Sequence, residues 1–257
     1  MSAYNLTDIS PISAKRSDKY VVIDTAKVVE NLLTMGFEIR EILRSRNGKG
    51  VHRVRLRTTT PFVNSKGEIL FFEITILNSY DRSSFFRVKV GIFRQVCTNG
   101  LCIQIGDLGE EYVVRHIGSE AQIAEDIAIR AANAAPRVME IQETLATTLL
   151  SDKQIIDLAV RAAEIRLKKK FTADQVRPLL EASRPEDDGR DAWAIFNVLE
   201  EKIIRGGVKL EGQKRTSRPI TRGKTAQMYG ERMFEAVHQI ATVGTLSPLK
   251  LSAELAN

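Results

Sequence analysis

The sequence is poor in the residues from which most catalytic and metal sites are built. Its 257 residues include only three histidines and two cysteines. The histidines, His52, His116 and His238, are far apart in the sequence, so we expect no zinc site, which takes four ligands. Glycine-rich phosphate loops and the Gly-x-Ser-x-Gly elbow of hydrolases are missing as well. These gaps predict a protein that is not an enzyme and uses no metal or other cofactor.

Long apolar runs are also missing. No stretch approaches the roughly 18 apolar residues that a membrane-spanning helix needs. The segment Met1-Ser-Ala-Tyr-Asn-Leu6 has no charged start followed by an apolar stretch, so we expect no secretory signal. Two cysteines fit a reducing compartment better than a small secreted fold. We therefore expect a cytoplasmic protein with no membrane association.

The charge of the chain is unevenly distributed. The formal net charge is +6, a modest excess that by itself favours nucleic acid only weakly. One segment holds seven cations against the single acid Glu211: Arg205, Lys209, Lys214, Arg215, Arg218, Arg222 and Lys224. This segment also contains four glycines and is predicted to be a loop.

The most informative pattern is an alternation of cations with apolar residues in two strand-like runs, 51–57 and 85–93. The cations share one parity: Arg53, Arg55, Arg57, Arg87 and Lys89. The opposite parity is apolar: Val54, Leu56, Phe86, Val88, Val90 and Ile92. Because successive side chains of a strand point to opposite faces, the pattern predicts a sheet with one buried face and one cationic face.

The amino-terminal half reads as a helix followed by an antiparallel meander. Strand-like runs occupy 51–58, 69–77, 85–93 and 94–105, and Asn99-Gly100 is the strongest hairpin signal. A helix begins after the N-cap residue Asp24. It either continues to Arg44 or ends near Gly36 and is followed by a first strand; the sequence leaves both open.

The carboxyl-terminal half has helical periodicity from Ser119 onward. One helix is predicted to run to about Thr147 with a kink at Pro136. Capping boxes at 151–154 and 172–175 begin two more helices. Another carries Trp193 and Phe196, which are expected in the core, and the last covers 225–241. The sequence therefore predicts an α+β fold: a sheet region at 1–118, helices at 119–245 that cover its apolar face, and a loose tail at 246–257.

The cationic face and the basic loop suggest binding to a polyanion. Alternate residues of a strand are roughly 6.6 Å apart, comparable to successive phosphates of an extended single strand, and arginine offers forked donors to phosphate. The candidate nucleic-acid-binding residues are Arg53, Arg55, Arg57, Arg87, Lys89, Lys214, Arg215, Arg218 and Arg222. Phe85 and Tyr80 are the best candidates for stacking on bases. The alternative is that the arginines pair with Glu73 and its neighbours, or that a helix covers them.

Two weaker patterns complete the set of candidates. A two-residue turn at Asn99-Gly100 would place Cys97 opposite Cys102, although two small apolar residues remain the simpler interpretation. The acid clusters Glu110-Glu111 and 186–188 resemble magnesium ligands of nucleases, yet they fall in predicted loops.

Three segments together resemble a known family. They are Asn78-Ser-Tyr-Asp-Arg-Ser-Ser-Phe85, Gly91-Ile-Phe-Arg-Gln-Val-Cys-Thr-Asn-Gly-Leu101 and Asp191-Ala-Trp-Ala-Ile-Phe-Asn-Val-Leu-Glu-Glu-Lys-Ile-Ile-Arg-Gly-Gly207. These segments look like the "phage/plasmid-like protein" family, a domain of unknown function carried on plasmids, prophages and phages. The family pattern has an acidic-glycine pair where this chain has Asp81-Arg82. The predicted architecture also resembles the ring-forming single-strand annealing proteins of phages.

The resemblance implies a protein of a mobile element, and the cationic face predicts what it handles. We expect a homo-oligomeric protein that binds single-stranded DNA and promotes annealing in recombination or replication. One alternative is an anti-defence or regulatory protein that acts on a host protein. The other is a metal-dependent nuclease.

Overall fold

The chain forms two compact units, Met1–Glu140 and Ile141–Asn257. The computed structural model describes residues 4–11, 19–45, 50–94, 101–102, 112–210, 215–221 and 223–248. The first unit holds an antiparallel sheet and the second is helical, so the predicted α+β class is confirmed. The Asn99-Gly100 turn and most of the predicted tail lie outside the described residues.

The sheet contains seven strands within the described residues. They are β1 Phe37–Arg44, β2 His52–Thr58, β3 Phe62–Val63, β4 Ile69–Asn78, β5 Phe86–Arg94, β6 Leu101–Cys102 and β7 Tyr112–Val114. Their order is β1-β2-β4-β5-β6, with β3 paired to β4 and β7 paired to β5, and every pairing is antiparallel. Cys102 lies opposite Gly91 in this pairing, whereas Cys97 is outside the described residues.

One face of the sheet is the core of the first unit. All six apolar residues that alternate with the cations, from Val54 to Ile92, are buried as predicted. Helix α1, Thr25–Thr34, packs against β1, and helix α2, Ala124–Asn133, packs against β5. Covering of this sheet by residues beyond 140 stays a prediction.

The segment from 25 to 44 is a helix followed by a strand, which settles the alternative left open by the sequence. Asp24 accepts hydrogen bonds from the backbone of Ala26 and Lys27 and so caps α1. The chain then turns at Gly36, whose φ of +85° suits a residue without Cβ, and continues as β1.

The remaining helices are α3 Ala135–Thr147, α4 Asp152–Leu167, α5 Ala173–Val176, α6 Ala192–Arg205 and α7 Gly223–Val243. Both predicted capping boxes are present at the starts of α4 and α5. The single kinked helix predicted up to Thr147 is wrong, because α2 ends at Asn133 and α3 begins anew. Pro136 lies in the first turn of α3, where a backbone N–H has no acceptor within the helix, so proline costs no hydrogen bond there.

Aromatic residues form the centre of the helical unit. The ring of Phe196 lies 5.6 Å from that of Trp193 and 5.6 Å from that of Phe234. All three side chains are almost fully buried between α6 and α7, which confirms the predicted core role of Trp193.

A buried polar network joins α1 to the ends of β2 and β4. The amide of Asn78 donates to the carbonyl of Ile23 at 3.0 Å and to the hydroxyl of Thr25 at 2.8 Å. The same hydroxyl is 2.8 Å from Nε2 of His52. The hydroxyl of Tyr80 accepts a hydrogen bond from the backbone N–H of Thr25 and donates one to the carbonyl of Ile9. The family-like segment that begins at Asn78 therefore anchors the helix to the sheet.

The end of α6 provides a test of backbone packing. A Cβ added to Gly206 would lie 2.6 Å from the carbonyl oxygen of Ser217, and the φ of Gly206 is +70°. We expect Gly206→Ala to lower the free energy of unfolding by about 2 kcal/mol or more in urea denaturation, since strain and a backbone clash add. Gly207→Ala is the matched control, because Gly207 also has a positive φ but no atom within 4 Å of its added Cβ. Equal losses in the two variants would contradict the clash.

Candidate nucleic-acid interface

Strand pairing places the five predicted cations of the sheet on one face, as the alternation predicts. Arg53 lies opposite Leu77 of β4, which lies opposite Arg87 of β5. One row further along, Arg55, Thr75 and Lys89 are aligned in the same way. We call Arg53, Arg55, Arg87 and Lys89 the cationic quartet.

The quartet has the dimensions of a short stretch of nucleic-acid backbone. Arg53 and Arg55 are alternate residues of one strand, about 7 Å apart, and the same holds for Arg87 and Lys89. Because β4 separates the two pairs, the rows extend across two strand spacings, about 10 Å. The four cations therefore form a rectangle, with uncharged Leu77 and Thr75 at the midpoints of its two long sides.

Carboxylates on the same face partly neutralise the arginines. Arg53 is 2.8 Å from Glu41 of β1, and Arg55 is 3.0 Å from Glu73 of β4. The pairing with Glu73 is the alternative that the sequence left open. Glu41 was missed, because the sequence did not settle whether its segment is helix or strand.

Arg57 differs from the quartet because it is inside the protein. Its side chain is 8% exposed, its Nη2 is 2.7 Å from Glu73, and Glu73 is 1% exposed. Its guanidinium carbon lies 3.4 Å from the ring centre of Phe93. Burial lowers the pKa of Arg57, and the hydrogen bonds that Arg57 donates to Glu73 oppose that shift. This environment argues against a phosphate contact by Arg57 and makes it part of the fold.

The face as a whole stays cationic and partly accessible to solvent. At its described paired positions, the five cations outnumber the three carboxylates Glu38, Glu41 and Glu73. The side chains of Arg53 and Arg55 are 39% and 25% exposed. Two exposed apolar residues, Leu43 and Val113, lie at the ends of the row that contains Arg53 and Arg87. Such a row offers charge to phosphates and apolar surface to sugars or bases.

Of the two aromatic residues predicted to stack on bases, only one is accessible. Phe85 is exposed directly before β5. Tyr80 is buried in the polar network and is wrong as a stacking residue. Its polar neighbours in the sequence suggested a surface loop, whereas its hydrogen-bond partners lie far away in the sequence.

The basic loop predicted between 205 and 224 belongs to the helical unit. Arg215 and Arg218 are exposed there. Lys214 and Arg222 lie outside the described residues. The loop is partly ordered by backbone bonds, since Gly207 donates to Ser217 at 2.8 Å and Ser217 donates to Val208 at 2.8 Å.

The acid clusters do not assemble a metal site in the part of the chain that is described. No group of three His, Cys, Asp or Glu side chains there is placed to share a metal ion. Asp187 is buried beside Arg184, and Glu110-Glu111 lie outside the described residues. Among the described helices, none combines the length and the apolar character needed to cross a membrane.

These features define an α+β protein whose sheet has an apolar face under two helices and a cationic face opposite. The chain belongs to the family described as "Domain of unknown function (DUF932)", which matches residues 13–230. The resemblance inferred from the three segments is thus confirmed at the level of a family of unknown function.

Two relatives from Escherichia coli (strain K12) are similar over most of the chain. The UPF0380 protein YfjQ is 27% identical over 218 residues, which cover 81% of this chain and 77% of the relative. The UPF0380 protein YafZ is 27% identical over 201 residues, which cover 75% of this chain and 71% of the relative. No solved structure matches the chain. The likeness to ring-forming annealing proteins therefore stays a prediction.

Proposed function

We propose that this protein binds single-stranded DNA across the cationic face of its sheet. The observation that carries the proposal is the quartet, in which two cations of β2 and two of β5 are held in register by β4. A broad sheet face can bind an extended single strand along its surface. It is too wide to enter the groove of a duplex, which admits a helix or a two-stranded ribbon. Phosphates would lie along the cations, and sugars or bases would contact Leu43, Leu77 and Val113.

Annealing is the activity that this arrangement supports best. A strand held by its phosphates keeps its bases available for a complementary strand, and the step needs no cofactor. The resemblance to proteins of plasmids, prophages and phages supports a role in recombination or replication of a mobile element. Coverage of a long strand requires several copies, so we also propose a homo-oligomer. Mass measurement in solution with and without a long oligonucleotide tests the last point.

Salt dependence of binding tests the quartet. Four phosphate contacts predict a slope of about 2.8 in log affinity against log salt, which is about a 50-fold loss between 0.1 and 0.4 M salt. Arg53→Gln with Lys89→Gln should reduce the slope by about 1.4 and weaken binding at low salt. The readout is fluorescence anisotropy of a labelled oligo-dT.

The matched control for this test removes the same charge elsewhere. Lys27 and Lys153 are exposed on α1 and α4, and each pairs with a surface carboxylate, as Arg53 does. Lys27→Gln with Lys153→Gln should bind as the parent does. If the sheet variant binds as tightly as this control, the interface is not on the sheet. Variants of Arg57 are unsuitable here, because they leave Glu73 buried without its closest partner.

A protein target is the second candidate, and the carboxylates of the face favour it. Glu41 and Glu73 compensate two quartet arginines, and Leu43 is exposed beside them. Mixed charge with apolar residues is common in protein interfaces. This candidate predicts a stable stoichiometric complex with a host protein. It also predicts oligonucleotide affinity that is unchanged in the sheet variant.

A further inference from the structure

The helical unit contains a second concentration of cations, at the end of α4. The helix ends at Leu167, and Lys168 takes a left-handed conformation with φ of +55°. Lys169 and Lys170 follow and, like Lys168, are exposed. Cations at the end of a helix are favoured by the helix dipole.

A direct contact joins this helix end to the basic loop. The guanidinium of Arg166, in the last turn of α4, donates to the carbonyl oxygen of Arg218. Arg166 also lines a cavity of about 10 Å³ together with Lys202 of α6 and Ser217 of the loop. The contact and the shared cavity show that α4, α6 and the loop meet at this place.

The loop is held in position by its own backbone. Ile220 donates to the carbonyl of Ile204 at 2.8 Å, and Ser217 exchanges bonds with the Gly207–Val208 stretch. Gly206 allows the close approach, since the carbonyl of Ser217 occupies the place of a Cβ. Arg218 is therefore displayed by an ordered segment next to the end of α4.

Two carboxylates among the described residues pair with cations of this region. Glu164 pairs with Lys170 at 2.9 Å, and Glu201 is engaged by Arg205 at 3.0 Å and by Arg184. Five of the exposed cations among the described residues of this region are Lys168, Lys169, Lys170, Arg215 and Arg218. We call these five residues the α4 basic end. Like charges held close together repel one another, and a polyanion relieves that repulsion.

We propose that the α4 basic end is a second phosphate-binding surface, used by the same single-stranded DNA. Its lysines act as point charges on phosphates, and Arg218 adds a forked donor. The proposal rests on the function proposed above and extends it to the helical unit. It also adds Lys168, Lys169 and Lys170 to the candidate residues of the basic loop.

The test compares two triple variants with the parent by anisotropy of labelled oligo-dT over a salt series. The first, Lys168→Gln with Lys169→Gln and Arg218→Gln, should reduce the slope by about 2. The second, Lys27→Gln with Arg137→Gln and Lys153→Gln, removes three exposed cations elsewhere and should keep the slope of the parent. Unchanged thermal unfolding of both variants shows that the fold is intact.

The sheet variant, Arg53→Gln with Lys89→Gln, separates the two proposals. If it loses affinity while the variant of the α4 basic end binds as the parent does, the second surface is refuted and the proposed function stands. If only the variant of the α4 basic end loses affinity, the second surface stands and the sheet interface is refuted. If neither loses affinity relative to the control, both proposals fail. Loss in both, with a larger loss in the combined variant, supports both.

Discussion

Replacing Glu73 with alanine is expected to lower the free energy of unfolding by about 3 to 5 kcal/mol. Glu73 is 1% exposed and accepts hydrogen bonds from both Nε and Nη2 of Arg57, at 2.9 and 2.7 Å. Its removal leaves the guanidinium of Arg57 buried against Phe93 without its counter-charge. Removing one partner of a buried ion pair costs more than removing both. Urea denaturation monitored by circular dichroism measures the loss.

A double-mutant cycle shows whether the ion pair between Glu73 and Arg57 accounts for this loss of stability. Glu73→Leu with Arg57→Met replaces both charges by apolar side chains of similar size, and it should be less destabilised than Glu73→Leu alone. Arg55, which also pairs with Glu73 at 3.0 Å, has Glu41 at 3.9 Å as a second carboxylate. A loss below about 1 kcal/mol for Glu73→Ala would contradict the structural role assigned to this pair.

Stability is expected to fall by up to about 3 kcal/mol between pH 6.5 and pH 4 because of His52 alone. Burial lowers the pKa of His52 from 6.5 to about 4, a bond with the backbone of Gly50 opposes the shift, and His116 adds to it. In the unfolded chain His52 is protonated as the pH falls below about 6.5, whereas in the folded chain it stays neutral until about pH 4. The contribution is therefore complete above pH 6.5 and is lost as the pH falls through this window.

Comparison with His52→Gln isolates this contribution from that of the acids. Glutamine keeps a polar group near Thr25 and Tyr80 but does not titrate. The difference in free energy of unfolding between parent and variant, measured in urea at pH 7, 5.5 and 4.5, should shrink or reverse as the pH falls. A difference that stays constant over this range would show that His52 is not held neutral in the fold.

The two faces of the central strands could be predicted from the sequence because the pattern that defines them lies within single strands. Alternation within nine residues was enough to assign Val54 and Val88 to the core and Arg53 and Arg87 to the opposite face. Asp24 and Gly36 likewise mark the limits of α1 by local chemistry. Periodicity alone did not distinguish one long helix from a helix and a strand, since a single glycine separates them.

The missed features depend on contacts between distant segments. The burial of Arg57 follows from Glu73 on β4 and Phe93 on β5, which no spacing within β2 reveals. Tyr80 looked exposed in a polar loop, yet its partner Ile9 lies 71 residues away. The α4 basic end needs the contact between Arg166 and Arg218, 52 residues apart. The burial of these residues and the assembly of the α4 basic end depend on strand register and tertiary packing, which sequence periodicity does not reveal.

The hydrogen bonds of Asn78 join segments that lie far apart in the chain. This side chain at the end of β4 joins Ile23 and Thr25, 55 and 53 residues earlier in the chain. During synthesis α1 emerges long before β4, so its first turn lacks these partners until the central strand has been made. We therefore expect docking of the first helix to be a late step of folding, because closing a loop of this length is slow.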